Sequence, residues 1–184
     1  DELRAALEAF DGCALKRTAS RTVFADGDPA SRIMFVGEAP GAEEDREGLP
    51  FAGRAGQLLN RMLATIGLER SGVYIANTVP WRPPGGRAPS PQETAICLPF
   101  ITRQIELVNP QMIVCLGAAS AQTLLNVNGI LRARGQWRDY SLPSGTIIPA
   151  MPTLHPAYLL RSPAAKRHVW ADLRQIRRAL DAAN

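Results

Sequence analysis

Cysteine, histidine and long apolar runs are all scarce in this sequence. The 184 residues include three cysteines, at positions 13, 97 and 115, and two histidines. Three cysteines are one short of a four-thiolate metal site, and an odd number does not make a disulfide framework. No segment approaches the ~20 apolar residues that a membrane span needs, and the first residues lack the charged-then-apolar layout of a signal peptide. We therefore expect a cytoplasmic protein that does not bind membranes.

An excess of either charge is also missing from most of the chain. Residues 1–160 balance at 15 basic and 15 acidic side chains, whereas residues 161–184 carry six basic and two acidic ones, which accounts for the net charge of +4. A basic segment fits contact with a polyanion such as nucleic acid, and a solvated helix face has the same composition. The length and a hydrophobic content of 46% predict a single domain over residues 1–184.

Short apolar runs alternate with amphipathic segments along the chain. The runs at 32–37, 73–79, 112–117 and 147–154 predict four buried strands, and the segments 57–66, 92–108, 120–125 and 163–182 predict helices. The polar segments 42–55 and 82–91 predict long loops. Because parallel strands need crossover connections, this alternation predicts an α/β fold. We expect a three-layer α/β/α sandwich with a central four-stranded parallel sheet.

Unusual residues follow the predicted strands, at the edge where parallel sheets place their active sites. The turn at 37–41, GEAPG, matches neither the dinucleotide nor the nucleoside triphosphate phosphate-binding motif. Asn77 ends an apolar strand, Phe51 lies in a glycine-rich loop, and His155 begins the loop after the last strand. Each alone fits a structural role as well. Together, an aromatic ring, an oriented amide, a histidine and nearby carboxylates fit a site that holds a nucleobase and breaks its bond to a sugar.

Five motifs carry a resemblance to a known family. They are GEAPGAEED (37–45), GLPFAGRAGQLLNRML (48–63), VYIANTVPWRPPGGRAPSPQE (73–93), QMIVCLG (111–117) and HPAYLL (155–160). In these motifs and their order the chain resembles the uracil-DNA glycosylase superfamily, closest to family 4, over about residues 13–180. The resemblance implies a monofunctional glycosylase that flips uracil out of DNA, hydrolyses its N-glycosidic bond and so initiates base excision repair. Its partners would be uracil-containing DNA and the free uracil product, and the protein would be a monomer.

The resemblance also implies roles for individual residues. His155 would hydrogen-bond uracil O2, and either Glu38 or Glu44 would orient water or stabilise the cationic sugar. The uracil pocket would be formed by Gly37, Ala39, Phe51 and Asn77. DNA would contact Arg82, Arg87, Gly117, Ala118, Leu159 and Arg161. Within that set, the amides at 117–118 would bind a phosphate. Leu159 would fill the gap left by the flipped base, or it would instead lie in the core.

The chain departs from family 4 at the iron–sulfur cluster. Members of that family hold a [4Fe-4S] cluster on four cysteines, and this chain matches two of those positions, Cys13 and Cys97, while Lys16 and Trp81 occupy the others. Because such a cluster needs all its ligands, we predict no metal and no cofactor, with Trp81 packing into the space. Cys115 lies inside a predicted strand and is expected in the core.

Two other functions remain open from the sequence. One is a hydrolase of free nucleosides or nucleotides, although a rim with arginines and a proline-rich loop is better suited to a polymer. The other is a non-catalytic or slow-turnover protein that binds uracil or abasic sites in DNA. Covalent trapping through a histidine is disfavoured because the segment 82–91 contains none.

Overall fold

The computed structural model describes residues 1–184 and is built around one six-stranded sheet. Its strands are β1 (Asp26–Gly27), β2 (Ile33–Gly37), β3 (Tyr74–Asn77), β4 (Met112–Leu116), β5 (Arg138–Ser141) and β6 (Ile147–Thr153). The order across the sheet is β1-β3-β2-β4-β6-β5. The four central strands run parallel to one another, and β1 and β5 pair antiparallel at the two edges.

The predicted α/β sandwich is confirmed, and the predicted strand number is corrected from four to six. All four predicted strands are present as the parallel centre of the sheet. The two edge strands have the sequences DG and RDYS, which are short and polar. Such segments carry no run of apolar residues, so hydrophobic periodicity does not detect them.

Helices cover both faces of the sheet. They are α1 (Glu2–Ala9), α2 (Leu15–Thr18), α3 (Ala42–Glu47), α4 (Arg54–Thr65), α5 (Pro91–Val108), α6 (Ala118–Leu125), α7 (Ile130–Ala133), α8 (Pro156–Arg161) and α9 (Lys166–Ala182). Short 3₁₀ turns lie at Arg70–Gly72, Pro84–Gly86 and Pro163–Ala165. None of the helices combines the length and the apolar character required to cross a membrane.

The alternation of side chains along β2 creates two core layers. Ile33 and Phe35 pack with α4 and α9 on one face, and Met34 and Val36 pack with α5 and α6 on the other. Because successive residues of a strand point to opposite faces, a strand covered on both sides is apolar throughout. All five residues of β2 are buried.

A third, smaller cluster closes one corner of the molecule beside the ends of β3 and α5. This corner cluster consists of Leu7, Cys13, Leu15, Val79, Trp81 and Cys97. It anchors the N-terminal helices α1 and α2 to the sheet.

The segment 42–55 was predicted to be a loop, but its first half forms α3. Glu44 accepts a hydrogen bond from the backbone N–H of Gly41 at 3.0 Å, and the first turn holds three acidic residues. A carboxylate that caps free N–H groups and faces the positive end of the helix dipole stabilises a short helix. The predicted loop after β6 likewise contains α8, which His155 caps.

Candidate active site

Four predicted pocket residues converge at the carboxyl ends of the parallel strands. A Cβ atom placed on Gly37 would lie 2.5 Å from Oδ1 of Asn77 and 2.8 Å from Cζ of Phe51. The rings of Phe51 and His155 are stacked, with centroids 5.3 Å apart and an angle of 26° between planes. Phe51 and Asn77 are each 6% exposed. Only glycine at position 37 permits this close approach of amide and ring.

The backbone of Phe51 adopts a conformation that non-glycine residues seldom take. Its φ angle is 51°, in the left-handed region. Arg70 holds it there, because its Nη1 donates to the Phe51 carbonyl at 2.9 Å and its Nη2 donates to the Pro50 carbonyl. Asp26 fixes the same guanidinium through a 2.7 Å bond from Nε. Arg70 lies outside every motif and acts through contacts distant in sequence, so nothing in the sequence alone marks it as part of the site.

The hydrogen bonding of His155 fixes which ring nitrogen carries its proton. Nδ1 accepts a hydrogen bond from the backbone N–H of Ala157 at 2.9 Å. An acceptor nitrogen is unprotonated, so in the neutral ring the proton resides on Nε2. Burial, followed by the nearby positive charge of Arg161, lowers the pKa of His155 to about 4, against a smaller opposing effect of Glu44. At neutral pH the residue is therefore an uncharged imidazole with one N–H donor.

The two candidate glutamates have different surroundings. Glu44 accepts backbone N–H bonds from Gly41 at 3.0 Å, Ala52 at 3.2 Å and Gly53 at 3.3 Å. Both of its oxygens are thus engaged in joining α3 to the loop that carries Phe51. Glu38 directly follows Gly37 at the end of β2, is half-buried, and has its pKa raised above the usual 4.5 by burial.

Ala39 follows the end of β2, and the two loop arginines, Arg82 and Arg87, follow the end of β3. Ala39 is half-buried and packs against the corner cluster. Arg82 has a buried Nε without a hydrogen-bond partner within the protein. Arg87 is engaged by Glu93 in two bonds of 2.8 and 3.0 Å. A phosphate at Arg87 would therefore compete with an existing ion pair.

A cavity of about 310 Å³ opens beside His155. It is lined by Gly117, Ala118, Ile130, Leu131, Leu154, His155, Tyr158 and Arg161. Three of the predicted DNA-contacting residues, Gly117, Ala118 and Arg161, thus lie next to His155. The N–H of Gly117 donates to the Thr153 carbonyl at 2.9 Å, so the predicted use of that amide for a phosphate is wrong. Ala118, the first residue of α6, is exposed.

The prediction that Leu159 reaches into DNA is contradicted by its position. Leu159 is 1% exposed and belongs to the core formed with α4 and α9. The next residue, Leu160, is 38% exposed. Side chains one position apart on a helix point about 100° apart, so the apolar residue on the open side of α8 is Leu160.

Comparison with known proteins identifies the family of this chain. Residues 24–174 match the family described as the uracil DNA glycosylase superfamily. The chain belongs to this superfamily. A type-4 uracil-DNA glycosylase of Thermotoga maritima is 43% identical over 82% of this chain and 77% of its own length. Type-4 uracil-DNA glycosylases of Sulfurisphaera tokodaii and Archaeoglobus fulgidus are 40% and 39% identical, over 90% and 89% of this chain and 77% and 84% of theirs. The resemblance to family 4 is confirmed.

The resemblance to family 4 implies cluster positions at 13, 16, 81 and 97, and only two of these residues, Cys13 and Cys97, are cysteines. Trp81 is 1% exposed, and its Nε1 donates to Oγ1 of Thr22 at 2.9 Å. The Lys16 ammonium donates to the Glu8 carbonyl and, at 2.9 Å, to that of Phe10. Neither an indole N–H nor an ammonium has a lone pair for iron.

The two remaining cysteines of this corner lie together in the core. Cys13 and Cys97 are 1% and 0% exposed, and burial followed by the proximity of Cys13 raises the pKa of the Cys97 thiol. No group of three or more His, Cys, Asp or Glu side chains is arranged to hold a metal ion. The residues present therefore do not fit a four-cysteine cluster.

Proposed function

We propose that this protein flips uracil out of DNA and hydrolyses its N-glycosidic bond, leaving an abasic site without cutting the strand and so initiating base excision repair. The observation that carries the proposal is the convergence of Phe51, Asn77 and His155 at the carboxyl edge of the sheet. These are the aromatic ring, the amide and the N–H donor that recognition and departure of a pyrimidine require. The type-4 relatives support the choice of uracil.

In this proposal Asn77 reads the edge of the base. Its Oδ1 accepts from uracil N3–H and its Nδ2 donates to O4, a pattern that cytosine reverses at both atoms. Asn77 is 94% buried, so cytosine would leave polar groups unpaired away from water. Such unpaired groups cost about 1 to 3 kcal/mol each, which is the source of strong discrimination.

Phe51 supports one face of the base. The centroid distance of 5.3 Å between Phe51 and His155 leaves no room for a third ring between them. Uracil therefore lies beside the imidazole, with its O2 edge toward His155 Nε2. The backbone at Glu38 and Ala39, next to Gly37, completes the pocket.

His155 stabilises the charge that develops on the departing base. Cleavage leaves the bonding electron pair on uracil N1, from which it delocalises onto O2, and the neutral Nε2–H donates to that oxygen. A neutral donor that is already oriented by Ala157 needs no reorganisation when the charge appears. Donors of this kind contribute about 3 to 4 kcal/mol to the transition state.

Glu38 faces the opposite charge, on the sugar. We assign to it the orientation of the attacking water and the stabilisation of the deoxyribosyl cation, because the oxygens of Glu44 are engaged by three backbone N–H groups. Water adds to C1′ as the bond to N1 breaks, its proton passes to the carboxylate, and uracil leaves as the anion held by His155. Glu44 supports the pocket by fixing the Phe51 loop.

DNA binding in this proposal uses the rim around the 310 Å³ cavity. The guanidinium of Arg161 and the amide of Ala118 supply donors for phosphates there, and Arg82, in the loop after β3, adds a further guanidinium. Leu160 replaces Leu159 as the side chain that fills the gap in the helix. Residues 1–184 would act as a single domain and a monomer in the cytoplasm, without a metal or other cofactor.

The direct test uses purified protein and end-labelled oligonucleotides with one central uracil, single-stranded and paired with guanine or adenine. We expect release of free uracil and strand cleavage only after alkali. A control oligonucleotide with thymine in place of uracil should stay intact. Tight binding to uracil-containing or abasic DNA, with no alkali-labile sites formed, would contradict glycosylase activity. It would favour the alternative function, a non-catalytic or slow-turnover protein that binds uracil or abasic sites. Release of uracil from deoxyuridine but not from DNA would favour the nucleoside hydrolase.

A further inference from the structure

The exposed side of α9 carries a row of basic side chains with a tryptophan among them. Lys166, Trp170, Arg174 and Arg178 follow one another at intervals of four residues, and all four are exposed. Residues four apart lie on the same side of a helix, so these side chains form one band, here called the α9 strip. At 1.5 Å per residue its length is about 18 Å.

Trp170 occupies an unusual position for its type. It is 46% exposed, whereas Trp81 is 1% exposed. A groove of about 190 Å³ lies on one side of it, lined in part by Arg61 and Lys166. A second groove, of about 600 Å³, also borders Trp170 and is lined in part by Arg174 and Arg178. A flat aromatic ring is thus presented to solvent between two pairs of cations.

The positive charge of the α9 strip is not compensated within the protein. Both acidic residues of α9 are engaged elsewhere, because Asp172 is fully buried and bound to Arg134 at 2.7 Å, and Asp181 binds Arg177. None of the seven salt bridges of the molecule involves Arg61, Lys166, Arg174 or Arg178. A fixed band of unpaired cations attracts a polyanion.

The α9 strip also continues from the candidate active site. Arg161, at the end of α8, lines the cavity beside His155, and Lys166 begins α9 after a single 3₁₀ turn. Leu159 of α8 borders the same groove as Trp170. A strand that leaves the cavity past Arg161 therefore meets Lys166 first and Trp170 one helical turn later.

We propose that the α9 strip binds the single-stranded continuation of the DNA substrate, with Trp170 stacked on an unpaired base and the flanking cations on phosphates. The proposal rests on the glycosylase function, which puts DNA at the cavity. Aromatic rings set in a basic groove are the usual means of holding single strands without sequence preference. The exposed row supplies no second large apolar side chain for insertion into a lipid surface.

Binding is tested on undamaged DNA, so that turnover plays no part. Fluorescence anisotropy with a labelled mixed-sequence 15-mer would be measured for wild type, Trp170→Ala, Trp170→Phe and Arg174→Ala. We expect Trp170→Ala to weaken binding by about fivefold to 150-fold, the loss of one base stack, and Trp170→Phe to retain most of the affinity. Arg174→Ala should reduce the slope of log K against log salt by about 0.7.

A matched control is Arg103→Ala, which removes an exposed arginine from α5 on the other face of the sheet. It should leave both affinity and salt slope unchanged. Equal affinity of Trp170→Ala and wild type would overturn the proposal, and so would a preference of the α9 strip for anionic vesicles over single strands. Uracil release from a trinucleotide with one uracil and from a second 15-mer with one central uracil separates this proposal from the proposed activity. The Trp170→Ala variant should raise KM on the 15-mer alone, whereas absence of release from both substrates would refute the glycosylase function itself.

Discussion

The imidazole Nδ1 of His155 accepts the backbone N–H of Ala157 at 2.9 Å, which leaves the single proton of the neutral ring on Nε2. The contact arises because His155 is the N-cap of α8, where the first N–H groups of a helix lack partners. In the proposed reaction, capping uses Nδ1 and catalysis uses Nε2 of the same ring. Protonation of Nδ1 would break the cap and would also convert the neutral donor of the proposed reaction into a cation.

Folding stability should depend on pH through His155. Its pKa in the folded protein, about 4, is below the usual 6.5, so the unfolded chain binds more protons between these values. The stabilisation of the folded state that depends on neutral His155 is complete above about pH 6.5. It is lost as the pH falls toward 4, which lowers the free energy of unfolding by at most about 3 kcal/mol. Urea unfolding at pH 7.5, 5.5 and 4.5 should show that the free energy of unfolding falls more for wild type than for His155→Gln. An equal fall in the two proteins would contradict the role of His155 in this pH dependence.

The fall of kcat at acidic pH, the acidic limb of the pH–activity profile, should reflect protonation of Glu38. Its carboxylate must be ionised to stabilise the sugar cation, and burial raises its pKa above 4.5. Since His155 becomes charged only near pH 4, kcat should fall first as Glu38 is protonated. Glu38→Gln should lower kcat by about 10² to 10⁴-fold and abolish that limb, as measured by single-turnover uracil release from pH 4.5 to 8.

Glu44→Gln is the companion variant in that experiment. Its carboxylate joins Gly41, Ala52 and Gly53, so the substitution should lower the free energy of unfolding by about 1 to 2 kcal/mol and leave the acidic limb in place. If Glu44→Gln removed the limb and Glu38→Gln did not, the two roles would have to be exchanged.

Removal of the Asn77 amide should impair uracil recognition. Asn77→Ala leaves N3–H and O4 of the base without partners in a buried site, at a cost of about 1 to 3 kcal/mol, or roughly fivefold to 150-fold in kcat/KM. Affinity for undamaged DNA should be unaltered, because Asn77 is buried behind the rim. Unchanged kcat/KM in this variant would place the base elsewhere.

The purified protein should contain no iron and should be colourless. Cys13 and Cys97 are the only sulfur donors in the corner cluster. Elemental analysis of protein purified without oxygen would check the metal content, and Cys13→Ser should keep its activity. Stoichiometric iron with a visible absorption band would show that other groups complete the ligand set.

The centre of the fold and most of the pocket could be predicted because their signals are local. Each central strand is an apolar run closed by Gly, Pro or Asn, and parallel connectivity brings the residues after such runs to one edge. Asn77 and His155 lie where that rule expects them, and Phe51, from the loop between α3 and α4, was identified by the motif that contains it.

Other features could not be predicted from the sequence, because they depend on which way a helix faces or on contacts between residues far apart in the chain. Leu159 and Leu160 are adjacent leucines on a six-residue helix, which is too short for periodicity to say which one is buried. The Gly117 amide is engaged by Thr153, 36 positions away, as the register of β4 and β6 requires. Arg70 is an ordinary arginine in sequence, and its role follows from its contacts with Asp26 and Phe51.

Arg70 should act as a positioning residue for Phe51. Without its bonds to the Phe51 and Pro50 carbonyls, nothing comparable holds the φ angle of 51°, and the ring should leave the face of the base. We expect Arg70→Ala to lower kcat/KM for uracil release by more than tenfold. In that background the additional substitution Phe51→Ala should cost less than it does alone, because the two residues act as one unit.

Arg32→Ala separates positioning from a general loss of stability. Arg32 donates to Gln111 at 2.9 Å and to the Leu180 carbonyl at 2.9 Å, at the end of the sheet opposite the pocket. Its removal should lower the free energy of unfolding by about 1 to 3 kcal/mol, similar to Arg70→Ala, with kcat/KM unchanged below the unfolding transition. Additive effects of Arg70→Ala and Phe51→Ala, or an equal loss of activity in Arg32→Ala, would refute the positioning role.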